Sequence, residues 1–562
     1  MKIPLFLASV LFLSLWSQAE PGAAPMLPGV PASAMRAAQS IDPERIRAHV
    51  RFLASDLLEG RGPGTRGGEL AALYLATQFA LSGLKPAGEN GSYFQNVPLV
   101  AVHTVEDRTS FSLIPERGAA SGEPITLKYG DDYVVKDQTG QPSADIDAPI
   151  VFAGYGIDAP EYHWNDYQGV DVKGKIVLVI VNEPPSQDQS FFKGKALTYY
   201  GRWTYKYEEA ARRGAAGVLV IHRTDLASYG WDVVRNSQST EKSYLQNDPL
   251  STLRAASWIQ LDVARKLLAL AGRNVDQEIE RAGKRGFKPV ELPVRLRAHI
   301  TSAVRRYNSA NVIGMVQGAN PAPGSDVIYT AHYDHLGIDP SLPGDKIYNG
   351  AADNGTGCGI LLEIARAFSP SSVRPPRNIY FAAVTAEEQG LLGSEYLGMH
   401  PPVPAKDLSL DLNFDELLPI GVPLSAEVDG AERTSFFPVV QKTAASLHLQ
   451  LQPDDNPMAG LYYRSDHFSF ARVGVPAFSI GEGDLYAGHA ESWGKQQEEE
   501  YTAQRYHRPE DEYRPGMDFR GDAKMARFGF LLGWQALAAP PVTWKAGDEF
   551  EAARRSSQRG GL

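Results

Sequence analysis

Five short stretches place imidazoles and carboxylates at the ends of apolar runs: "YTAHYDHLG" with His332 and Asp334, "NGAADNGTG" with Asp353, "TAEEQG" with Glu387 and Glu388, "LNFDE" with Asp415, and "YHRPEDEY" with His507. Histidines among several carboxylates suit zinc or another first-row divalent ion better than calcium or magnesium, which favour oxygen alone. The chemistry indicated is a metal site, single or double. Residues i and i+2 of a strand point the same way, so Asp334 can accept from the free ring nitrogen of His332 and fix its tautomer. Asp353 opens a glycine-broken turn before a helix, where each carboxylate oxygen can face a different ion; taken alone it reads more simply as a helix cap. Glu387 and Glu388 sit side by side at a strand end, so one can bind metal while the other faces water. As isolated pairs, Glu387-Glu388 and Asp415-Glu416 would be ordinary loop carboxylates. Their recurrence at successive strand ends argues for a site. His49, His299 and His448 read as surface or satisfied core residues.

The elements that must position these groups are legible from about Pro293 onward. The runs "DVIYTAHYD", "RNIYFAAVT", "LSLDLNFDE" and "GVPAFSIGEG" read as strands, with helices between them at Asn354 to Phe368, Gly390 to Gly398 and Ser435 to Ser446. Near-continuous apolar strands alternating with helices predict an α/β fold, a sheet covered on both faces. Ligand sites of such sheets gather in the crevice at the strands' carboxyl ends.

Further upstream, Asp42 and Pro43 mark a helix start, with Ile46, Val50 and Leu53 at helical spacing, and a second helix runs from Glu69 to Leu81. The glycine-rich "SDLLEGRGPGTRGG" between them matches no nucleotide loop and reads as a turn. From about Thr126 to Arg285 short β-type runs, "PIVFAGYG", "GKIVLVIV" and "AGVLVIH", with a helical "YKYEEAARRGA", imply a separate β-rich unit without a ligand cluster. It reads as an insert that shapes access or forms a subunit interface.

The whole chain, 562 residues with 43% hydrophobic and 22% charged, predicts two or three globular domains. Its formal charge of -11 provides no basic face for nucleic acid. The start, "MKIPLFLASVLFLSLWSQAE", reads as an export signal cleaved after Ala19. Its apolar run is shorter than the roughly 20 residues that span a bilayer, and no later run is longer, so stable membrane insertion is not expected. A periplasmic or secreted protein follows. Glu20 to Ala38 has a linker's Ala, Pro and Gly composition. Cys358 is the only cysteine, which excludes an internal disulfide.

At the metal-ligand stretches the sequence resembles the zinc-dependent aminopeptidase family of bacterial leucyl aminopeptidases, glutamate carboxypeptidase II and the transferrin receptor ectodomain. "AHYDH", "GAADNGTG", "TAEEQGLLGS", "LNFDE" and "YHRPEDEY" occur in the family's order, and the resemblance extends over about Asp42 to Ala538. "GVDVKGKIVLVIV" and "EEAARRGAAGVLVI" look like its protease-associated domain, and "LLEGRGPGTRGGELAALYLATQF" like the N-terminal part of its catalytic domain. The implied fold is a mixed central sheet flanked by helices, the zinc exopeptidase fold, with an inserted β-rich protease-associated domain. The implied division is 1–19 signal, 20–41 linker, 42–125 first part of the catalytic domain, 126–290 insert, 291–540 catalytic domain and 541–562 C-terminal tail.

The resemblance also implies two zinc ions: His332 and Asp415 on one, Glu388 and His507 on the other, Asp353 bridging. Asp334 would orient His332, and Glu387 would be the general base that takes the proton of the attacking water and passes it to the leaving amine. His335 competes as a ligand, but the family pattern gives that place to His332. "YYRSDHFSFARVGVPAF" matches a segment near the family's substrate pocket, making Arg464, Ser465, Asp466 and His467 candidate pocket residues, with a capped helix start as the equal alternative. Asp511 follows His507 as in the family, in a structural or functional role. Trp493 and Tyr501 lie in an expected loop that walls the cleft, its acidic residues there to attract an amino terminus or simply solvated. The implied activity is removal of N-terminal residues from peptide substrates. Carboxypeptidase or dipeptidase action, glutaminyl cyclisation and a non-catalytic binding role are the alternatives within the same fold.

Overall fold

The computed structural model describes residues 27–559 apart from Ser121 and Ser228; the expected signal 1–19 lies outside the described residues. The strands expected near the site form one sheet in the order Ala477–Ser479, Leu408–Asn413, Asp326–His332, Ile379–Val384 and Val290–Val316, the first four mutually parallel and the last antiparallel to its neighbour. The sheet is therefore mixed. Successive residues of Ile379–Val384 enter opposite cores: Ile379, Phe381 and Ala383 face one, Tyr380, Ala382 and Val384 the other. That alternation is the period-2 geometry of a strand covered on both faces. The helix Gly357–Ala367 and the long helix Arg520–Ala538 close the first face, and Leu392–Met399 and His467–Arg472 the second.

Val290–Val316 is unusually long, 27 residues, because it serves two sheets. Its second half pairs with Phe94–Thr104 and Ile379–Val384, and its first half with Ser110–Pro115 and Ser143–Phe152. The insert's sheet continues from there through Ile176–Ile180, Gly217–His222 and Ala255–Gln260, all parallel, to Tyr133–Lys136. Ile176, Leu178 and Ile180 face one core of the insert, and Val177, Val179 and Val181 the other.

The structure revises four boundaries. The segment 20–41, expected to be a linker, contains the helix Ala32–Gln39 and buries Leu27, Val30, Ala34, Ala37 and Ala38. Trp534 Nε1 donates to Gly29 O at 3.2 Å, and the small alanines allow close approach to Arg520–Ala538. Alanine-rich composition signalled flexibility, yet alanine is also the best helix former. The insert begins before residue 126, since Ser110–Pro115 already pairs in its sheet, and ends inside Val290–Val316. The C-terminal tail 541–562 is packed, with Val542, Trp544 and Phe550 buried ahead of the helix Glu551–Gln558. The stretch with Trp493 and Tyr501 is the helix Trp493–Gln504, not a loop.

Candidate metal centre and cleft

His332 is the last residue of the central strand Asp326–His332. The chain crosses from it to Ile379–Val384 on one side and afterwards to Leu408–Asn413 on the other. This reversal of direction opens a crevice at the carboxyl ends. Glu387 and Glu388 follow one flanking strand and Asp415 the other, so the topology brings all four to the mouth of one crevice.

The distances place a shared carboxylate at the centre. His332 Nε2 stands 2.9 Å from Asp415 Oδ1 and 3.3 Å from Asp353 Oδ1. His507 Nε2 stands 3.0 Å from Glu388 Oε2 and 3.3 Å from Asp353 Oδ2. Asp353 thus turns one oxygen toward each group. His335 joins the second group, its Nδ1 2.5 Å from Glu388 Oε1 and 3.9 Å from Asp353 Oδ2. The donor atoms of His332, Asp353 and Asp415 lie within 4.8 Å of one another, as do those of His335, Asp353 and Glu388. His332 and His335 therefore belong to different groups, and the residue standing beside His335 at Glu388 is His507.

Charge follows from this crowding. Burial opposes ionisation of Asp353, yet its contacts with His332, His335 and His507 hold it well below the usual carboxylate range. Against burial, Asp353 and Glu388 push His507 up to about 10, and Asp415, Glu387 and Asp353 push His332 well above its ordinary value. Burial and the charges of Glu388 and Asp415 push Glu387 well above the carboxylate range. The carboxylates around His332 and His507 demand positive charge, which is the demand a divalent cation meets. The nitrogen and oxygen donor set fits zinc.

One orienting contact differs from expectation. His332 Nδ1 lies 3.2 Å from the backbone carbonyl of Asp334 and 3.9 Å from its carboxylate. That carboxylate accepts from Glu387 N–H at 3.1 Å instead. The strand ends at His332, so Asp334 lies past the regular geometry that the i, i+2 reading assumed. Asp334 is buried and is pushed up to about 8 by that burial first and then by Glu388.

Several residues hold the two loops in place. Asp511 accepts from the amides of Ala352 and Asp353, each at 3.1 Å, and so anchors the turn carrying the shared carboxylate. Asn354 Nδ2 donates to Phe414 O at 2.9 Å, tying that turn to the Asp415 loop. Ser465 donates to Asp415 Oδ2 at 2.5 Å. Arg61, fully buried, donates to the carbonyls of Tyr333, Leu53, Asn349 and Gly350. Gly350 has φ +58, and a Cβ there would meet Asp353 O at 2.2 Å. Arg61 was not singled out from the sequence; the signal available was a charged residue inside the glycine-rich turn "EGRGPG".

From these groups opens a cleft of about 430 Å³. Arg464, Ser465 and His467 line it, as do Tyr486, Tyr501 and Tyr506. Asp466 is fully buried and does not line it. Arg464, Ser465 and Asp466 precede the helix His467–Arg472, which has no side-chain cap.

Residues 311–527 match the description Peptidase family M28, and residues 146–252 match the PA domain. Residues 311–527 belong to Peptidase family M28. This M28 domain contains all the candidate ligands, and the PA domain lies within the insert. Among curated relatives, the probable leucine aminopeptidase 2 of Aspergillus oryzae is 25% identical over 400 residues, 68% of this chain and 66% of the relative. Aminopeptidase YwaD of Bacillus subtilis is 28% identical over 213 residues, 37% of this chain and 41% of the relative. The chain thus spans less than two thirds of the length of these relatives. Among solved structures, the aminopeptidase from Aneurinibacillus sp. strain AM-1 aligns over 90% of this chain and 96% of its own, with a TM-score of 0.46 and 18% identity.

Proposed function

We propose that this chain is an exported zinc-dependent aminopeptidase that hydrolyses the first peptide bond of peptide substrates. The observation that carries this reading is Asp353, which offers one oxygen to His332 and Asp415 and the other to Glu388 and His507. A carboxylate shared in this way suits two ions. His332, Asp353 and Asp415 would hold one zinc, and Asp353, Glu388 and His507 the other. Bound zinc supplies Lewis acidity, polarising a carbonyl and lowering the pKa of water toward about 7.

Glu387 is the proton carrier. It stands 3.9 Å from His332 Nε2 at the cleft wall, with its backbone held by Asp334. Its carboxylate takes a proton from the attacking water and delivers it to the leaving amine. Glu416, next to Asp415 with φ 54, lines the cleft and offers a carboxylate to the substrate's ammonium. The described lining has a single guanidinium, Arg464, against many carboxylates, which favours a free amino terminus over a free carboxyl terminus. The apolar run ahead of Ala19 supports export to the periplasm or medium.

The test is amino-acid release from short peptides with free or acetylated amino termini, by wild-type protein and by Glu387→Gln. The expected result is cleavage that needs a free amine and falls by about 10²- to 10⁴-fold in Glu387→Gln with its metal retained. Release from the carboxyl end of acetylated peptides would make the protein a carboxypeptidase. Absence of turnover with both metals bound would overturn the peptidase reading.

A further inference from the structure

Beyond the metal ligands, the cleft lining is acidic on three separate elements. Glu427 ends the strand Ser425–Glu427 and Asp429 follows it; Asp484 follows the strand Gly481–Glu482; Glu498 lies on the helix Trp493–Gln504. None of these four carboxylates is paired with a cation among the described residues. The nearby cations are committed elsewhere: Arg433 to Asp548 at 2.8 Å and Glu549 at 2.6 Å, Lys193 to Glu549 at 3.5 Å, and Lys495 to Asp455. Arg464, the guanidinium in the lining, donates to Ala459 O at 2.9 Å.

A second, independent feature points to a cationic donor. His467 lines the same cleft at 1% exposure; the Tyr462 backbone is its hydrogen-bonding neighbour, which leaves at least one of its two buried ring nitrogens without a partner. Burial pushes His467 down to about 3, so the imidazole is neutral and one ring nitrogen must accept. A buried acceptor left unpaired is costly, and a ligand N–H recovers that cost. The four carboxylates show the complementary strain. Burial and then Asp484 and Glu498 push Glu427 up to about 8, burial and then Asp484 raise Glu498, burial and then Asp455 raise Asp484, and burial and then Glu432 and Asp454 push Asp429 up to about 7. A cation entering the cleft relieves the repulsion among Glu427, Asp484 and Glu498 and the crowding of acidic charge at Asp429.

We propose that Glu427, Asp429, Asp484, Glu498 and His467 form a subsite for the cationic side chain of an N-terminal lysine or arginine. This rests on the aminopeptidase reading for its catalytic consequence, since the subsite opens directly off His332, Asp353, Glu387, Asp415 and His507. Methionine is the fitting control, because its side chain has nearly lysine's length without the charge.

The experiment has two arms on the zinc-loaded, full-length protein. In the first, kcat/KM is compared for lysine, arginine, methionine and leucine p-nitroanilides, with wild type, Asp429→Asn and the surface variant Asp484→Asn/Glu498→Gln. The expected result is a lysine-to-methionine ratio of about tenfold or more in the wild type that falls at least threefold in the variants and shrinks in high salt. In the second, calorimetry compares binding of lysinamide and methioninamide. Leucine turnover without preference for lysine overturns this proposal and leaves the peptidase reading standing. Tighter binding of lysinamide with no turnover of any anilide upholds the subsite and overturns the peptidase reading. Equal binding of the two amides overturns the subsite.

Discussion

Glu388 shows how much a single carboxylate is asked to do. Its two oxygens face different histidines, Oε1 toward His335 at 2.5 Å and Oε2 toward His507 at 3.0 Å. His335 is fully buried with its Nε2 unpartnered, whereas His507 stands in a loop conformation with φ 54 and stacks on Tyr506 at 3.9 Å. On the proposed two-zinc reading His507 is the ligand and His335 the donor that orients Glu388, although His335 also stands with Asp353 and Glu388 within ligand reach. His507→Ala should therefore lose one of two zinc equivalents after dialysis, while His335→Gln, which keeps an N–H donor, retains both. Metal analysis of the two variants checks this, and the reverse pattern would exchange the roles. Among the site residues, His332, Glu387, Glu388 and Asp415 were legible as residue types at strand ends, whereas Asp353, in the turn before the helix Gly357–Ala367, and His507, past the helix Trp493–Gln504, owed their place to the family resemblance. Arg61 and the role of His335 were not legible, because each acts through contacts with residues far away in sequence.

At the scale of elements, the site is two loops pinned to a sheet edge. The turn at Gly350–Asp353 and Tyr333, just past the strand end, converge on the Arg61 guanidinium, although Arg61 lies on a short turn 272 residues before Tyr333. Its four carbonyl acceptors are shielded from water, so replacing it leaves them unpaired. Arg61→Met should cost about 3 kcal/mol, several lost hydrogen bonds offset by the relief of a buried charge, together with reduced metal retention. Urea unfolding measures the first and metal analysis the second; a cost below about 0.5 kcal/mol would remove Arg61 from the framework. The insert also reaches the cleft wall: Leu197 N–H donates to Pro457 O at 3.0 Å, and Tyr199 packs edge-on to Phe468 at 5.3 Å. The insert thereby braces the segment that presents Arg464, Ser465 and His467.

For the whole molecule, Glu549 joins three parts of the chain. It pairs with Arg433 of the M28 domain and Lys193 of the insert and accepts from Tyr463, from a position inside the expected C-terminal tail. Against its burial, Lys193 and Arg433 hold it down to about 2, from an ordinary value of 4.5. A depressed carboxylate contributes stability that is fully present above the unfolded value and is lost as pH falls through the folded one. Wild-type Tm should accordingly decline more steeply than that of Glu549→Gln between about pH 5 and pH 2.5. Parallel slopes in thermal scans would remove this cluster from the acid response.

The sequence by itself determined the chemistry and the class of fold, because strand ends and ligand types are local patterns: "TAEEQG" and "LNFDE" announce carboxylates after buried runs whatever surrounds them. Apolar periodicity likewise determined the alternation of strands and helices. What only the tertiary structure decided is non-local. The alanine-rich segment before Asp42 became a packed helix because Arg520–Ala538 offered it a surface. One strand, Val290–Val316, belonged to two sheets, which moved both insert boundaries. Asp334 turned its carboxylate to Glu387 because the strand stopped at His332. The acidic side of the cleft came together from elements separated by tens of residues, through a closeness that no spacing in the sequence encodes.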